Sequence, residues 1–194
     1  MRNPALERVL VLVKPDGVMR GLIGQIVARF EQRGLKLVAL KMVWPTKEHI
    51  DEHYPKDKAW ITRLGEKSLK TYQEYGMNPI EYVGSKDPQK IGPQVRSWLV
   101  DYMTKSPVAV MIFEGNHAVA VARKIAGPTL PYAAEVGTIR GDFAHDSPAA
   151  ANSRKQGVKN LVHVSETAQE AKHEIEHWFA PEEIHSYKRV EEHT

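Results

Sequence analysis

The sequence predicts an α+β fold: a ferredoxin-like split βαβ sandwich in which a four-stranded antiparallel sheet is covered by helices. Two observations point there. Apolar runs of strand length are few and alternate with stretches of helical periodicity, in the order strand, helix, strand, helices, strand, helix, long loop, strand, helix. The turn after the first strand also carries none of the glycine-rich patterns that a doubly wound sheet, the alternative reading, requires.

The elements follow in order. Val9 to Val13 is a continuous valine-rich run and reads as a buried strand. Lys14-Pro15-Asp16-Gly17 reads as a turn, because proline presets φ and glycine frees it. Leu22, Ile23, Ile26, Val27 and Phe30 recur at helical spacing, with Gly34 as the stop. Leu35 to Trp44 reads as a second strand, broken by Pro45. Lys47 to Pro93 is polar and punctuated by glycine and proline, which predicts short helices and loops. Val95 to Met103 is helical, with Val95, Trp98, Leu99 and Tyr102 on one face. Val108 to Phe113 is a third strand, and His117 to Ala126 a helix stopped by Gly127-Pro128. Thr129 to Lys159 reads as loop, Leu161 to Val164 as a very short strand. Ala168, Ala171, Ile175, Trp178 and Phe179 mark a closing amphipathic helix, with Thr167 and Glu170 placed as a capping box.

Composition sets the outer bounds. A chain of 194 residues with 42% apolar content is enough for one domain with a sizeable core, and excludes wholesale disorder. The net charge of +3 is spread among interleaved acidic and basic residues, so nothing resembles a nucleic-acid tail, and small anionic substrates fit. The absence of cysteine excludes disulfides, thiolate metal sites and cysteine nucleophiles. The first apolar run ends at Lys14, too soon for a secretion signal or membrane span, so a cytoplasmic protein is expected, with no membrane partner.

Two runs carry chemistry. The first is Lys14-Pro15-Asp16-Gly17-Val18 with Arg20-Gly21 behind it. The second is Gly137-Thr138-Ile139-Arg140-Gly141-Asp142-Phe143, followed by Asn160-Leu161-Val162-His163. Together with Glu174-Ile175 and Trp178-Phe179, in the same order along the chain, these resemble the nucleoside diphosphate kinase family. The resemblance implies a single domain over 1–194 that passes the γ-phosphoryl group of a nucleoside triphosphate to a nucleoside diphosphate. Transfer is by ping-pong, through a phosphohistidine. The matching histidine is His163. Imidazole can attack as the neutral base near pH 7, and here it precedes a helix N-terminus that favours anions.

The resemblance also assigns the surroundings. Glu174 matches the carboxylate that orients the histidine, Ser165 a serine beside it, and Tyr54 a tyrosine near it. Lys14, Arg123 and Arg140 match cations that contact phosphates, Thr129 a phosphate-bonding hydroxyl, and Asn160 the asparagine that bonds the ribose. Val95 falls where the family stacks the base, Leu99 on the same nucleotide-binding side, and Trp98 and Trp60 nearby. Contacts directed to phosphates and sugar imply broad base tolerance. Mg2+ is expected on the nucleotide, with no His, Asp and Glu cluster demanding a metal site of its own. Relatives are oligomers built from dimers, which implies a hexamer or tetramer.

This chain departs from the pattern in three places. Val164-Ser165-Glu166 replaces a small residue, serine and aspartate, adding bulk and a longer acidic arm. Insertions are expected at about 56–94 and 144–159, and the segment from Tyr72 to Tyr82 is a candidate lid or interface. These departures motivate the alternative of a catalytically impaired nucleotide-binding or regulatory module. A nucleic-acid-binding role, suggested by Arg154, Lys155 and Lys159, lacks both a recognised motif and interleaved aromatics.

Overall fold

The structure is a computed structural model that describes residues 3–190. The remaining positions of the expected 1–194 domain, Met1, Arg2 and 191–194, lie outside the described residues. Four strands, β1 (Leu6–Val13), β2 (Lys36–Val43), β3 (Val108–Asn116) and β4 (Val162–Val164), form one sheet in the order β2-β3-β1-β4. Every neighbouring pair is antiparallel. This is the predicted ferredoxin-like α+β sheet; the doubly wound alternative does not hold.

Alternation along the strands builds two cores. Val9, Val11 and Val13 of β1, with Ala109, Met111 and Phe113 of β3, face one side. There they meet Ile26 and Phe30 of α2 (Ile23–Gln32) and Ala118 and Ala122 of α7 (Ala118–Ala126). Leu10 and Leu12, with Val108, Val110 and Ile112, face the other side. Their partners are Ile50 of α3 (Lys47–His53), Val100 and Met103 of α6 (Pro88–Met103), and Trp178 of α10 (Ala168–Trp178).

Several loops of the sequence reading fold as helices. Lys14-Pro15-Asp16-Gly17 leads into α1 (Pro15–Met19), with proline at the helix start, where its missing N–H costs nothing. The polar stretch after Lys47 contains the 17-residue α4 (Lys58–Glu74) and the short α5 (Pro79–Val83). Asp57 caps α4 by accepting from Trp60 N at 2.8 Å. The 129–159 segment contains α8 (Ile139–Phe143) and α9 (Pro148–Ser153), capped by Thr138 and Ser147. Pro93 lies inside α6 rather than before it. The expected capping box at Thr167 is half made: Thr167 accepts from Glu170 N, but Glu170 reaches the N–H of Glu166 instead of the cap's own.

Gly65 and Gly92 explain why α4 escaped the sequence reading. They sit where α4 crosses α6, each with the facing backbone, Pro88 or Ile61, in the space a Cβ would occupy. Glycine here permits close packing and is no helix breaker. Beyond the crossing, Tyr72, Val83 and Ile91 form a small third core, with Tyr82 stacked on Tyr72 at 5.6 Å. The Tyr72 to Tyr82 segment is thus packed into its own cluster, with Tyr72 fully buried.

Gly65→Ala or Gly92→Ala should push a methyl into opposing backbone and cost about 1–3 kcal/mol. Thermal unfolding should then fall by roughly 2–10 °C. An unchanged midpoint would show that the crossing yields without strain.

Candidate active site

The register decides where His163 points. It pairs with Leu12 across β1 and β4, so its side chain shares the face of Leu12, while Val162 and Val164 enter the opposite core. On that face lie the last turn of α3 and the middle of α10. Glu174 of α10 meets His163 Nε2 through Oε1 at 2.5 Å. Its other oxygen accepts from Ser165 Oγ at 2.6 Å, and Leu10 N donates to that hydroxyl oxygen at 3.3 Å. Glu174 and Ser165 are buried. A carboxylate accepts only, so the bond fixes the proton on Nε2 and leaves the Nδ1 lone pair free.

The chain reaches His163 through a tight turn. Val162 N donates to Asn160 O at 2.7 Å around Leu161, which takes φ +67°, left-handed for a non-glycine residue. Its neighbours hold it. Lys14 N donates to Leu161 O at 2.8 Å, and Leu161 N donates to Asp16 Oδ2 at 3.2 Å. Arg140 donates to Asn160 O at 3.1 Å, Val162 O at 2.7 Å and Gly127 O at 2.5 Å. The fork expected on phosphate is therefore turned largely onto carbonyls, with its charge still lining the pocket.

His163 opens on a pocket of about 1120 Å³. The structure brings Lys14, Tyr54, Arg123, Thr129, Arg140, Asn160, His163 and Glu174 to its walls. Asn160 accepts from Lys14 Nζ at 2.7 Å and donates to Thr129 O at 3.0 Å. Burial, then the charge of Arg140, lowers the Lys14 ammonium from 10.5 to about 8, with Asp16 opposing. Burial and Arg123 lower Arg140 to about 10. The enclosed position of Tyr54, then Glu174, raises its phenol. Glu166, the longer acidic arm, pairs with Arg123 at 3.2 Å. Val164 lies in β4 and is absent from the positive-φ residues, so its branched side chain meets no backbone strain.

Other expected residues stand apart. Val95 packs beside the third core and Leu99 lies against Gly157; neither lines the pocket. Trp60 does, stacked on Tyr54 with centroids 6.1 Å apart, and Arg63 and Lys67 follow it along α4. The chain arrives at this wall on an α4 that sequence periodicity did not reveal. Arg96 of α6 also went unnoticed. It donates to Asp51 O at 2.8 Å and to Tyr54 O and Pro55 O at 3.3 Å, satisfying the carbonyls that end α3. His53 lies edge-on to His163 at 4.9 Å and accepts from Trp178 Nε1 at 3.3 Å. Burial, then His163, holds it well below the usual histidine range, so it is neutral. Its only sequence signal was its place next to Tyr54.

His53, His163 and Glu174 do bring ligand atoms within 4.8 Å of one another. They come from α3, β4 and α10, so no spacing in the sequence shows the group. The His163–Glu174 hydrogen bond accounts for most of the convergence.

A polar pocket lined by buried cations around an oriented imidazole, on this sheet, defines a phosphotransferase class. Comparisons with known proteins narrow it. The sequence profile of the nucleoside diphosphate kinase family matches residues 7–62 and 90–184. A nucleoside diphosphate kinase from Pyrobaculum aerophilum is 47% identical over 179 residues, 92% of this chain and 98% of that one. A crystal structure of an NDP kinase from the same organism superposes with a TM-score of 0.89 at 46% identity, covering 92% and 98% of the two chains. A structure of the nucleoside-diphosphate kinase from Borrelia burgdorferi, a transition-state mimic formed with bound vanadate and ADP, gives a TM-score of 0.78 at 34% identity, covering 98% and 96% of the two chains. The chain belongs to the nucleoside diphosphate kinase family.

Lys14 yields a signed prediction. Its folded pKa of about 8 lies below 10.5, so between those values the unfolded chain binds more protons than the folded one. Its contribution to stability therefore rises with pH across that window; below pH 8 the buried cation is a full cost. Lys14→Met should melt a few degrees above the natural protein at pH 7, the gap narrowing as pH climbs from 8 to 10.5. Nucleotide affinity should fall in the same variant. A lower melting point at pH 7 would mean that the lost Asn160 bond outweighs the buried charge.

Proposed function

We propose that this nucleoside diphosphate kinase works by ping-pong, with Nδ1 of His163 as the nucleophile. The observation that carries the reading is the Glu174 bond to Nε2, which leaves Nδ1 as the nitrogen with a free electron pair beside a cationic pocket. That pair attacks the γ-phosphorus of a nucleoside triphosphate. The bond from phosphorus to the β-bridging oxygen breaks, and the diphosphate leaves with those electrons. The Nε2 proton stays between the ring and Glu174, which offsets the positive charge the ring acquires. The diphosphate acceptor then attacks the same phosphorus and the P–Nδ1 bond breaks.

The other residues take supporting roles. Ser165 holds the second oxygen of Glu174, and Tyr54 and neutral His53 wall the imidazole. Lys14, Arg123, Arg140 and Thr129 receive the phosphates, where positioning and charge stabilisation carry most of the catalysis. Asn160 serves the sugar. Trp60 replaces Val95 and Leu99 as the favoured surface for the base. Mg2+ arrives as part of the nucleotide substrate. The protein acts as a homo-oligomer, a hexamer or a tetramer built from dimers, among the soluble nucleotides of the cytoplasm. Edge strand β2 supports assembly: it has one neighbour in the sheet, and Leu40, Met42 and the adjoining Trp44 are exposed. Among the described residues no helix is long and apolar enough to cross a membrane.

Incubation with γ-labelled ATP and magnesium, without acceptor, should give an acid-labile, base-stable label that any diphosphate removes. His163→Ala should take no label. Glu174→Gln should label at least about 10²-fold more slowly, the scale of losing proton control at the reacting group. Full labelling of His163→Ala would overturn the assignment.

A further inference from the structure

The aromatic wall of the pocket leads away from the nucleophile in steps. His53 lies 4.9 Å from His163, Tyr54 lies 5.1 Å from His53, and Trp60 lies 6.1 Å from Tyr54, centroid to centroid. Arg63 and Lys67 continue the path. They stand three and seven residues beyond Trp60, on the same face of α4, and both line the pocket. At the rise of an α-helix, that is about 4.5 and 10.5 Å further along its axis. Neither has a carboxylate partner among the described residues. The family profile stops at residue 62 and resumes at 90, so both cations belong to a segment outside it.

Arginine and lysine side chains donate hydrogen bonds and accept none. Beside a stacking ring they distinguish bases by the edge these present. Guanine offers O6 and N7, and uracil and thymine offer O4, all acceptors. Adenine and cytosine place an amino donor at the corresponding position. We infer that Arg63 and Lys67 read the base and grade nucleoside diphosphates in favour of the oxo bases, guanine, uracil and thymine, over the amino bases, adenine and cytosine. Adenine keeps its N7 acceptor, so the preference is graded and the amino-base nucleotides remain substrates. The inference rests on the proposed function for the direction in which the nucleotide lies, phosphates at His163 and base toward α4.

Binding tests it without requiring turnover. Dissociation constants of GDP, UDP, ADP and CDP with magnesium are measured by titration calorimetry for the natural protein and for Arg63→Ala/Lys67→Ala. Both side chains are exposed, so the variant keeps its fold. GDP and UDP should bind about fivefold more tightly than ADP and CDP, the scale of one net hydrogen bond. The ratio should drop below about twofold in the double variant. Equal affinities in the natural protein, or an unchanged ratio in the variant, would overturn the inference. Labelling of His163 by γ-labelled GTP reports separately on the transfer chemistry, so loss of label with a retained base ratio would count against the mechanism alone.

Discussion

The arrangement depends first on the turn that delivers His163. Leu161 is fully buried and left-handed, so glycine would relieve the backbone but lose a core side chain. A non-glycine residue held in that region costs of order 1–3 kcal/mol. The surrounding donors offset it: Arg140 bonds the carbonyls on both sides of Leu161, and Lys14 and Asp16 take its own carbonyl and N–H. Hydrogen bonds to charged groups contribute about 1.5–3 kcal/mol each. Only a planar fork can span Asn160, Val162 and Gly127 at once, which is a reason for arginine rather than lysine at this position.

The same clamp sets the electrostatics. Holding Arg140 and Lys14 in place buries two cations near each other, and both are lowered from their ordinary values chiefly by that burial. Asp16 offsets the Lys14 charge only in part, and the hydrogen bonds of the two cations run to carbonyls and to the Asn160 amide. The folded state therefore holds buried positive charge at a cost in stability, and the phosphate-binding role proposed for these residues rests on that charge. A buried carboxylate stands on the other side of the imidazole, where Glu174 is packed against Ser165. The ring stands between a carboxylate that holds its proton and the cations of the pocket.

How much of this was legible in the sequence depends on the length scale of each cause. Valine runs such as Val9 to Val13 exposed the sheet, because a strand buried on both faces needs apolar residues at every position. The motif runs around Lys14, Arg140 and His163 brought the pocket's chemistry into view through resemblance. What stayed hidden depends on contacts between distant segments. The Gly65 and Gly92 pair reads as two breakers until α4 and α6 are laid across one another. His53 converges on Glu174 only through the sheet. Val95 and Leu99 lie on a helical face as read, but that face meets the third core and Gly157 instead of the pocket.

The two expected insertions meet in space, since α4 from the first packs against α9 from the second. The segment 63–89, which the family profile leaves unmatched, contributes Tyr72 and Val83 to the small third core it shares with Ile91 and is fastened to α6 by the glycine crossing. The pocket is thus built from two kinds of material. Its His163 end rests on β1, β4 and the Arg140 clamp, all within matched residues. Its far end rests partly on α4, whose Arg63 and Lys67 lie outside the match. Arg96, itself within the matched residues, reaches from α6 to the end of α3 that carries His53 and Tyr54. Rigid placement of the reacting groups needs the sheet, whereas contacts to the rest of a ligand can change with the element that supplies them. A chain organised this way can acquire a new far wall while the atoms around the imidazole stay where the sheet and the Leu161 turn put them.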